Sequence, residues 1–339
     1  MTRIITENCL IAADEPGIEL HIRRKYRADR APFTPATTIL LMHGATLPAE
    51  SLYDVDVGQG AFMDVLADAG FDVHALNVRG FGASTRPPGM RGAPDAAPPQ
   101  VRTDVAVRDL STAIDHILAA RGLPRLSLIG MSWGGTVSGA YTAAHNERIE
   151  KLTLIAPQWL SDGPPRIDPG GTLQAYRRFD VRAFRTRWLE GVPAHRHDEI
   201  LPPAWFERWA EVMLASDRDA RDGIVNAPAG VIQDVREYWA VGRPFYDPAA
   251  ITVPVLLLHG EWDLDVPLPR MQALFLRLSN AAYRRWVEIG EGTHMVVMET
   301  NRWQVLDAIR AFLTMSPPDA AASHQAGSIG GAARGQDSG

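Results

Sequence analysis

Apolar and polar positions fall in blocks along this chain that predict a regular β/α succession. Short, almost unbroken apolar runs at 37–43 (TTILLMH), 71–76, 125–130 (RLSLIG), 151–156 (KLTLIA), 253–259 (VPVLLLH) and Arg284–Ile289 read as strands. Helix-like stretches at 61–69, 103–120 and 136–146 lie between several of them. Apolar strands separated by helices imply a mostly parallel sheet covered on both faces. The first segment differs: 4–12 and 18–26 flank an acidic Pro-Gly turn at 14–17, the pattern of a hairpin.

The alternation breaks between 157 and 250, a stretch rich in Trp, Arg and Pro. Trp205, Trp209, Val212 and Met213 fall at helical spacing, and so do Tyr176, Phe179, Ala183 and Phe184. The expectation is a helical cap, 157–250, inserted between two core segments, 1–156 and 251–315. Residues 316–339 are small, polar and Gly-rich, and bury too little apolar surface to offset the entropy of ordering; a disordered tail is expected there.

Composition narrows the function classes. Of 339 residues, 46% are hydrophobic and 22% charged, enough apolar content to exclude a disordered chain. The net charge of −6 argues against a nucleic-acid partner. A single cysteine, Cys9, excludes an intrachain disulfide and a Cys-based zinc site. Thr6, Glu7 and Asn8 interrupt what would be a signal peptide's apolar region, and no run of about 18 apolar residues exists to span a membrane. The expectation is a cytoplasmic protein with no membrane contact.

The sharpest chemical signal is Gly130-Met131-Ser132-Trp133-Gly134, followed by Gly135. The string gains meaning from its position, ending one apolar run and opening a helix-compatible one. A serine on a tight strand-to-helix turn needs glycines beside it, because side chains there would collide with the neighbouring strand and helix.

With these residues in place, the chain resembles the α/β-hydrolase superfamily over about 15–315. The resemblance rests on His43-Gly44 after one strand, Arg79-Gly80-Phe81-Gly82-Ala83-Ser84 after the next, the Ser132 turn, then Asp263 and His294. It implies an α/β fold with an eight-stranded, mostly parallel sheet, helices on both faces and a helical cap after the sixth strand. The Arg79 turn is usually scaffold in this family. The serine at the elbow sets the chain apart from family members that carry an aspartate there.

A serine hydroxyl needs a base to take its proton, and histidine suits the task near neutral pH. Among ten histidines, His43 and His259 sit at strand ends before a Gly and read as loop-bonding residues. His294, in Glu291-Gly292-Thr293-His294, lies where the family places its catalytic histidine, just before a helix expected to begin near Val296. The run Gly260-Glu261-Trp262-Asp263-Leu264-Asp265-Val266-Pro267 resembles the family's G-x-x-D-x-x-V-P string. The Gly260 and Pro267 spacings select Asp263 to orient the imidazole; Asp265 and Glu261 are the alternatives. The resemblance implies an oxyanion hole formed by the backbone N–H groups of Trp133 and Ala45, with the Thr46 hydroxyl nearby. The loop reads HGAT where other branches of the family carry HGGG or HGGPG.

In the cap, Arg178, Arg182 and Arg185 fall at i, i+4 and i+7, one face of the expected helix. Such a face could meet an anionic substrate group or simply be solvated. Of the cap tryptophans, Trp159, Trp188, Trp205, Trp209 and Trp239, one or two would line an apolar pocket, Trp159 among them. The resulting expectation is a capped bacterial serine esterase acting on a small-molecule carboxylic ester, with no metal or organic cofactor. The triad spacing is compatible with a monoalkyl phthalate or similar aromatic ester. An acyltransferase on the same triad, or a non-catalytic binding protein on this fold, are the other readings. The sequence carries no signal for the oligomeric state.

Overall fold

A computed structural model describes residues 3–161 and 163–315; the expected tail, 316–339, lies outside the described residues. Ten strands form among the described residues: β1 (Ile4–Ala12), β2 (Glu19–Arg27), β3 (Thr38–Met42), β4 (Asp72–Asn77), β5 (Leu126–Met131), β6 (Ile149–Ile155), β7 (Tyr176–Asp180), β8 (Ile224–Pro228), β9 (Val255–Gly260) and β10 (Arg284–Ile289). Eight make one sheet in the order β1-β2-β4-β3-β5-β6-β9-β10. The hairpin β1–β2 is antiparallel and joins β4 antiparallel; β4, β3, β5, β6, β9 and β10 run parallel to one another.

The apolar runs are buried on both sides because alternate residues serve different cores. Ile39 and Leu41 of β3 join a cluster with helices Phe62–Asp68 and Arg302–Thr314, whereas Leu40 and Met42 join one with Thr103–Arg121, Trp133–Ala144 and Leu268–Arg277. The Arg79 turn fastens the hairpin to this body. Its guanidinium donates to the buried Asp109 and to Asp14 and Glu15 in the β1–β2 turn, each at 2.6 Å.

Strand order sets the site's location. The chain leaves β3 for β4 on one side, then returns with β5 on the other, so β3 is the point where the winding reverses. In such sheets the loops at the carboxyl ends part there and leave a crevice. Met42 of β3 pairs with Gly130 of β5, which brings the HGAT loop and the Ser132 turn side by side.

The 157–250 segment is less helical than its sequence suggests. Helices Phe184–Trp188, Pro203–Ala215 and Gly230–Glu237 form, and Trp209 and Met213 are buried as the spacing expects. Residues 176–180, however, are strand β7, paired antiparallel with β8 from Tyr176↔Pro228 to Asp180↔Ile224. Phe184 alone of the 176–184 set begins a helix. The same apolar positions fit a strand once a partner satisfies their backbone groups, and period 2 replaces 3.6: Arg177 and Phe179 share one face of β7, Tyr176 and Arg178 the other.

A second departure lies after His294. The helix expected near Val296 begins instead at Arg302. Met295, Val296, Val297 and Met298 are each at most 2% exposed. Four consecutive buried residues cannot occupy one stripe of an amphipathic helix, and the chain folds here as tight turns. Among the described residues no helix is long and apolar enough to cross a membrane.

Candidate active site

Ser132 follows β5 and caps the helix Trp133–Ala144 with φ 56° and ψ −122°, a left-handed conformation that a serine adopts only under constraint. The glycines make room for it. A Cβ at 134 would lie 2.6 Å from the carbonyl oxygen of Met42 and closer still to that of His43, and one at 130 would lie 2.7 Å from the Gly134 carbonyl carbon. The steric reason for the G-x-S-x-G pattern is therefore local and backbone-made.

Asp263 sits three residues past β9, and His294 lies in the loop after β10. Because β9 and β10 are parallel neighbours, these two loops leave the sheet together and interlock: Trp262 N–H donates to Gly292 O at 2.8 Å. Glu261, one of the sequence alternatives for the acid, braces the second loop by accepting Glu291 N–H at 2.8 Å. Asp263 Oδ1 accepts the backbone N–H groups of Asp265 and Val266 at 2.8 and 2.9 Å. That anchorage leaves Oδ2 to take His294 Nδ1–H at 2.8 Å. In the neutral imidazole that leaves the Nε2 lone pair to accept from Ser132 Oγ–H at 2.9 Å. The three residues form one hydrogen-bonded chain, and the Asp263 carboxylate in it is wholly shielded from solvent.

Electrostatics favour charge on the imidazole. Burial opposes it, but the carboxylates of Asp263 and then Asp265 outweigh burial and raise the His294 pKa to about 9. Asp265, the other alternative for the acid, does not touch His294. It accepts from Arg187 at 2.7 Å and faces Arg166 at 3.5 Å. The histidines at the other strand ends serve the scaffold: His43 accepts Val78 N–H and donates to Gly44 O, and burial holds it neutral, with a pKa of about 4. His259 bonds Val266 O at 3.0 Å.

The chain of three opens on a cleft of about 570 Å3 including its mouth. Its floor is Gly44, Ala45, Thr46 and Ser132, and Phe179, Phe184, Arg177 and Arg187 of the 157–250 segment face them. Neither the Ala45 nor the Trp133 backbone N–H donates to a protein acceptor among the described residues. The Trp133 indole points away into the core and donates to Thr103 Oγ1 at 2.9 Å.

Thr46 is in the cleft as expected from sequence, but the other expected substrate contacts are elsewhere. Trp159 is 1% exposed and packs edge-on against Tyr246 in the core, with ring centroids 5.5 Å apart. None of the five cap tryptophans lines this cleft among the described residues; its aromatic wall is Phe179 and Phe184. Arg178, Arg182 and Arg185 share no helix face. Arg178 and Arg182 are exposed, Arg182 pairs with Glu207 and Arg185 with Asp198 at 2.8 Å. The pleat of β7 turns Arg177 inward in place of Arg178. A strand assignment for 176–180 would have found it; a helical one could not.

Sequence reading also passed over Glu299. It is wholly buried and accepts from Trp188 Nε1–H at 2.8 Å, from Thr293 N–H at 3.0 Å and from the Thr293 hydroxyl. It thereby ties helix Phe184–Trp188 to the loop that carries His294. Burial raises its pKa to about 7 against those donors. Among the described residues no cluster of three or more His, Cys, Asp or Glu side chains is arranged to hold a metal ion.

A parallel sheet with a strained serine at its winding reversal, and an Asp–His pair from its last two loops, is the architecture of an α/β hydrolase. Residues 37–300 match the α/β hydrolase fold family, and the chain belongs to it. A proline iminopeptidase of Neisseria meningitidis serogroup B is 24% identical over 222 residues, 58% of this chain and 70% of that protein. Among solved structures, an esterase from Thermogutta terrifontis matches with a TM-score of 0.56 at 21% identity, over 91% of this chain and 98% of that one. An enol-lactonase from Burkholderia xenovorans matches with a TM-score of 0.63 at 18% identity, over 91% and 100%.

Proposed function

We propose that this hydrolase cleaves carboxylic esters through an acyl-enzyme, with Ser132, His294 and Asp263 as its triad. The observation that carries the reading is the unbroken Asp263–His294–Ser132 hydrogen-bond chain opening on the cleft. Ser132 Oγ attacks the ester carbonyl as its proton passes to His294 Nε2. Asp263 stabilises the imidazolium so formed. The tetrahedral oxyanion is held by the N–H groups of Ala45 and Trp133, which are free to donate and preorganised by the β3 and β5 loop ends. His294 returns the proton to the departing alkoxide, giving alcohol and acyl-Ser132. Water then adds by the same route, its proton going to His294 and back to Ser132 as the acid leaves.

The 157–250 segment serves as a cap in this reading, since Phe179, Phe184, Arg177 and Arg187 supply the cleft's outer wall. Ester cleavage is favoured over cleavage of a substrate with a free amine because, with Arg187 paired to Asp265, the cleft presents one guanidinium without a carboxylate partner, Arg177, a like charge to any ammonium. The test is labelling by a fluorophosphonate probe together with hydrolysis of a series of p-nitrophenyl esters. The parent protein should be labelled and active, and Ser132→Ala should lose both while keeping its circular dichroism spectrum. A labelled or active Ser132→Ala protein would overturn the assignment.

A further inference from the structure

The two cleft arginines are not alike. Arg187 is neutralised by Asp265 at 2.7 Å. Arg177 has no carboxylate partner among the described residues. Its Nη2 donates to Ala45 O at 2.8 Å and to Thr46 Oγ1 at 3.0 Å, both neutral acceptors. Its Nε is buried with no acceptor, and Nη1 makes no bond to the protein among the described residues. Burial, and then the neighbouring Arg187, lower its pKa to about 10, which still leaves it charged at neutral pH. Other arginines of the 157–250 segment are either paired, as Arg166 is with Glu190, Arg182 with Glu207, Arg185 with Asp198 and Arg196 with Glu291, or exposed to solvent, as Arg178, Arg218, Arg221 and Arg243 are. A half-buried cation with unused donors, set in the wall of a cleft beside a nucleophile, is complete only when an anion binds.

We propose that Arg177 is a carboxylate-binding subsite, and that the preferred substrate is an ester whose acid part carries a second, free carboxylate near the scissile carbonyl. This rests on the ester-hydrolase reading above. The short spacing follows from where the guanidinium is held. Arg177 is bonded to the carbonyl of Ala45, the residue whose N–H receives the oxyanion in the proposed mechanism, so the anion site and the scissile carbonyl are held beside the same residue. The half-ester of a compact dicarboxylic acid fits that spacing. A neutral ester of the same size leaves the guanidinium uncompensated in the closed complex. The same two bonds also hold the HGAT loop in shape, so Arg177 has a positioning role that the test must separate from binding.

The comparison is kcat/KM for monobutyl phthalate against butyl benzoate, which differ only by the free carboxylate. It is measured on the full chain as the parent, Arg177→Gln, Arg177→Lys and, as an exposed control on the opposite face of β7, Arg178→Gln. The parent and Arg178→Gln should prefer the half-ester. Arg177→Gln should lose about ten- to a hundred-fold on it and much less on butyl benzoate, with Arg177→Lys between. Equal losses on both esters, or a parent that prefers butyl benzoate, would overturn the subsite and leave Arg177 as a loop brace. Calorimetry of phthalate itself with Ser132→Ala, with and without Arg177→Gln, reads the subsite independently of turnover. Arg177-dependent phthalate binding without cleavage of any ester would keep the subsite and reject the ester reading. Ester cleavage with no Arg177-dependent binding or preference would do the reverse.

Discussion

Glu299 offers a measurement whose sign follows from its burial. It is fully buried and its folded pKa is about 7, against an ordinary value of 4.5. Between those two values the folded chain holds a proton that the unfolded chain has released. Stability therefore falls as pH rises from 4.5 to about 7, and the contribution is flat on either side. At about 1.4 kcal/mol for each tenfold change in proton affinity, the loss is about 3 kcal/mol. Glu299→Gln cannot ionise and keeps a carbonyl to accept from Trp188 or Thr293. Urea denaturation of parent and variant at pH 4.5 and pH 8.5 gives two stability differences. Their change with pH cancels every other titrating group and every fixed cost of the substitution. The variant should gain about 3 kcal/mol on the parent between the two conditions. A difference that stays constant with pH would mean that Glu299 is ionised at both, and that its three donors outweigh its burial.

Other outcomes follow from the loops around His294. Asp263→Asn should cost about 10⁴ in kcat, because an amide cannot fix the imidazole tautomer or stabilise its cation; Asp265→Asn should cost far less, and steady-state kinetics on a p-nitrophenyl ester distinguishes them. In the proposed mechanism His294 acts as base only when neutral, so with its pKa raised to about 9 kcat/KM should climb with pH well beyond 6.5. Asp265→Asn removes one of the charges raising it, and should move that rise to lower pH; an unmoved profile would show that Asp265 does not reach His294. Gly134→Ala drives a Cβ into the carbonyls of Met42 and His43. It should lower stability by about 1–3 kcal/mol and abolish turnover, and an unchanged Tm with full activity would refute the steric account of the turn.

Most of the sheet was legible because burial on both faces leaves little freedom in the sequence. TTILLMH, RLSLIG, KLTLIA and VPVLLLH must alternate between two apolar cores, and their strands end within a few residues of where the apolar runs end. The serine turn was legible for a different reason: its glycines answer clashes with backbone a few residues away or on the adjacent strand. Ser132, Asp263 and His294 meet in one hydrogen-bonded chain although they are far apart in sequence, because the loops that carry them are fixed by the strands they follow.

The 157–250 segment was misread where its residues fit two periods. Tyr176, Phe179, Ala183 and Phe184 satisfy a helix on paper, but β7 exists because β8, more than forty residues on, supplies its hydrogen bonds. That one change moved the inward arginine from 178 to 177 and dissolved the shared face of Arg178, Arg182 and Arg185. Trp159 looked like a pocket wall and is core, since a lone aromatic says nothing of which way its ring turns. Glu299 gave no signal at all: a single Glu after an apolar run reads as surface until Trp188 and Thr293 are seen to close over it. What the sequence determined by itself was therefore whatever short-range sterics and two-sided burial enforce. What only the tertiary structure decided was the side-chain direction and charge partner of residues whose neighbours lie far along the chain.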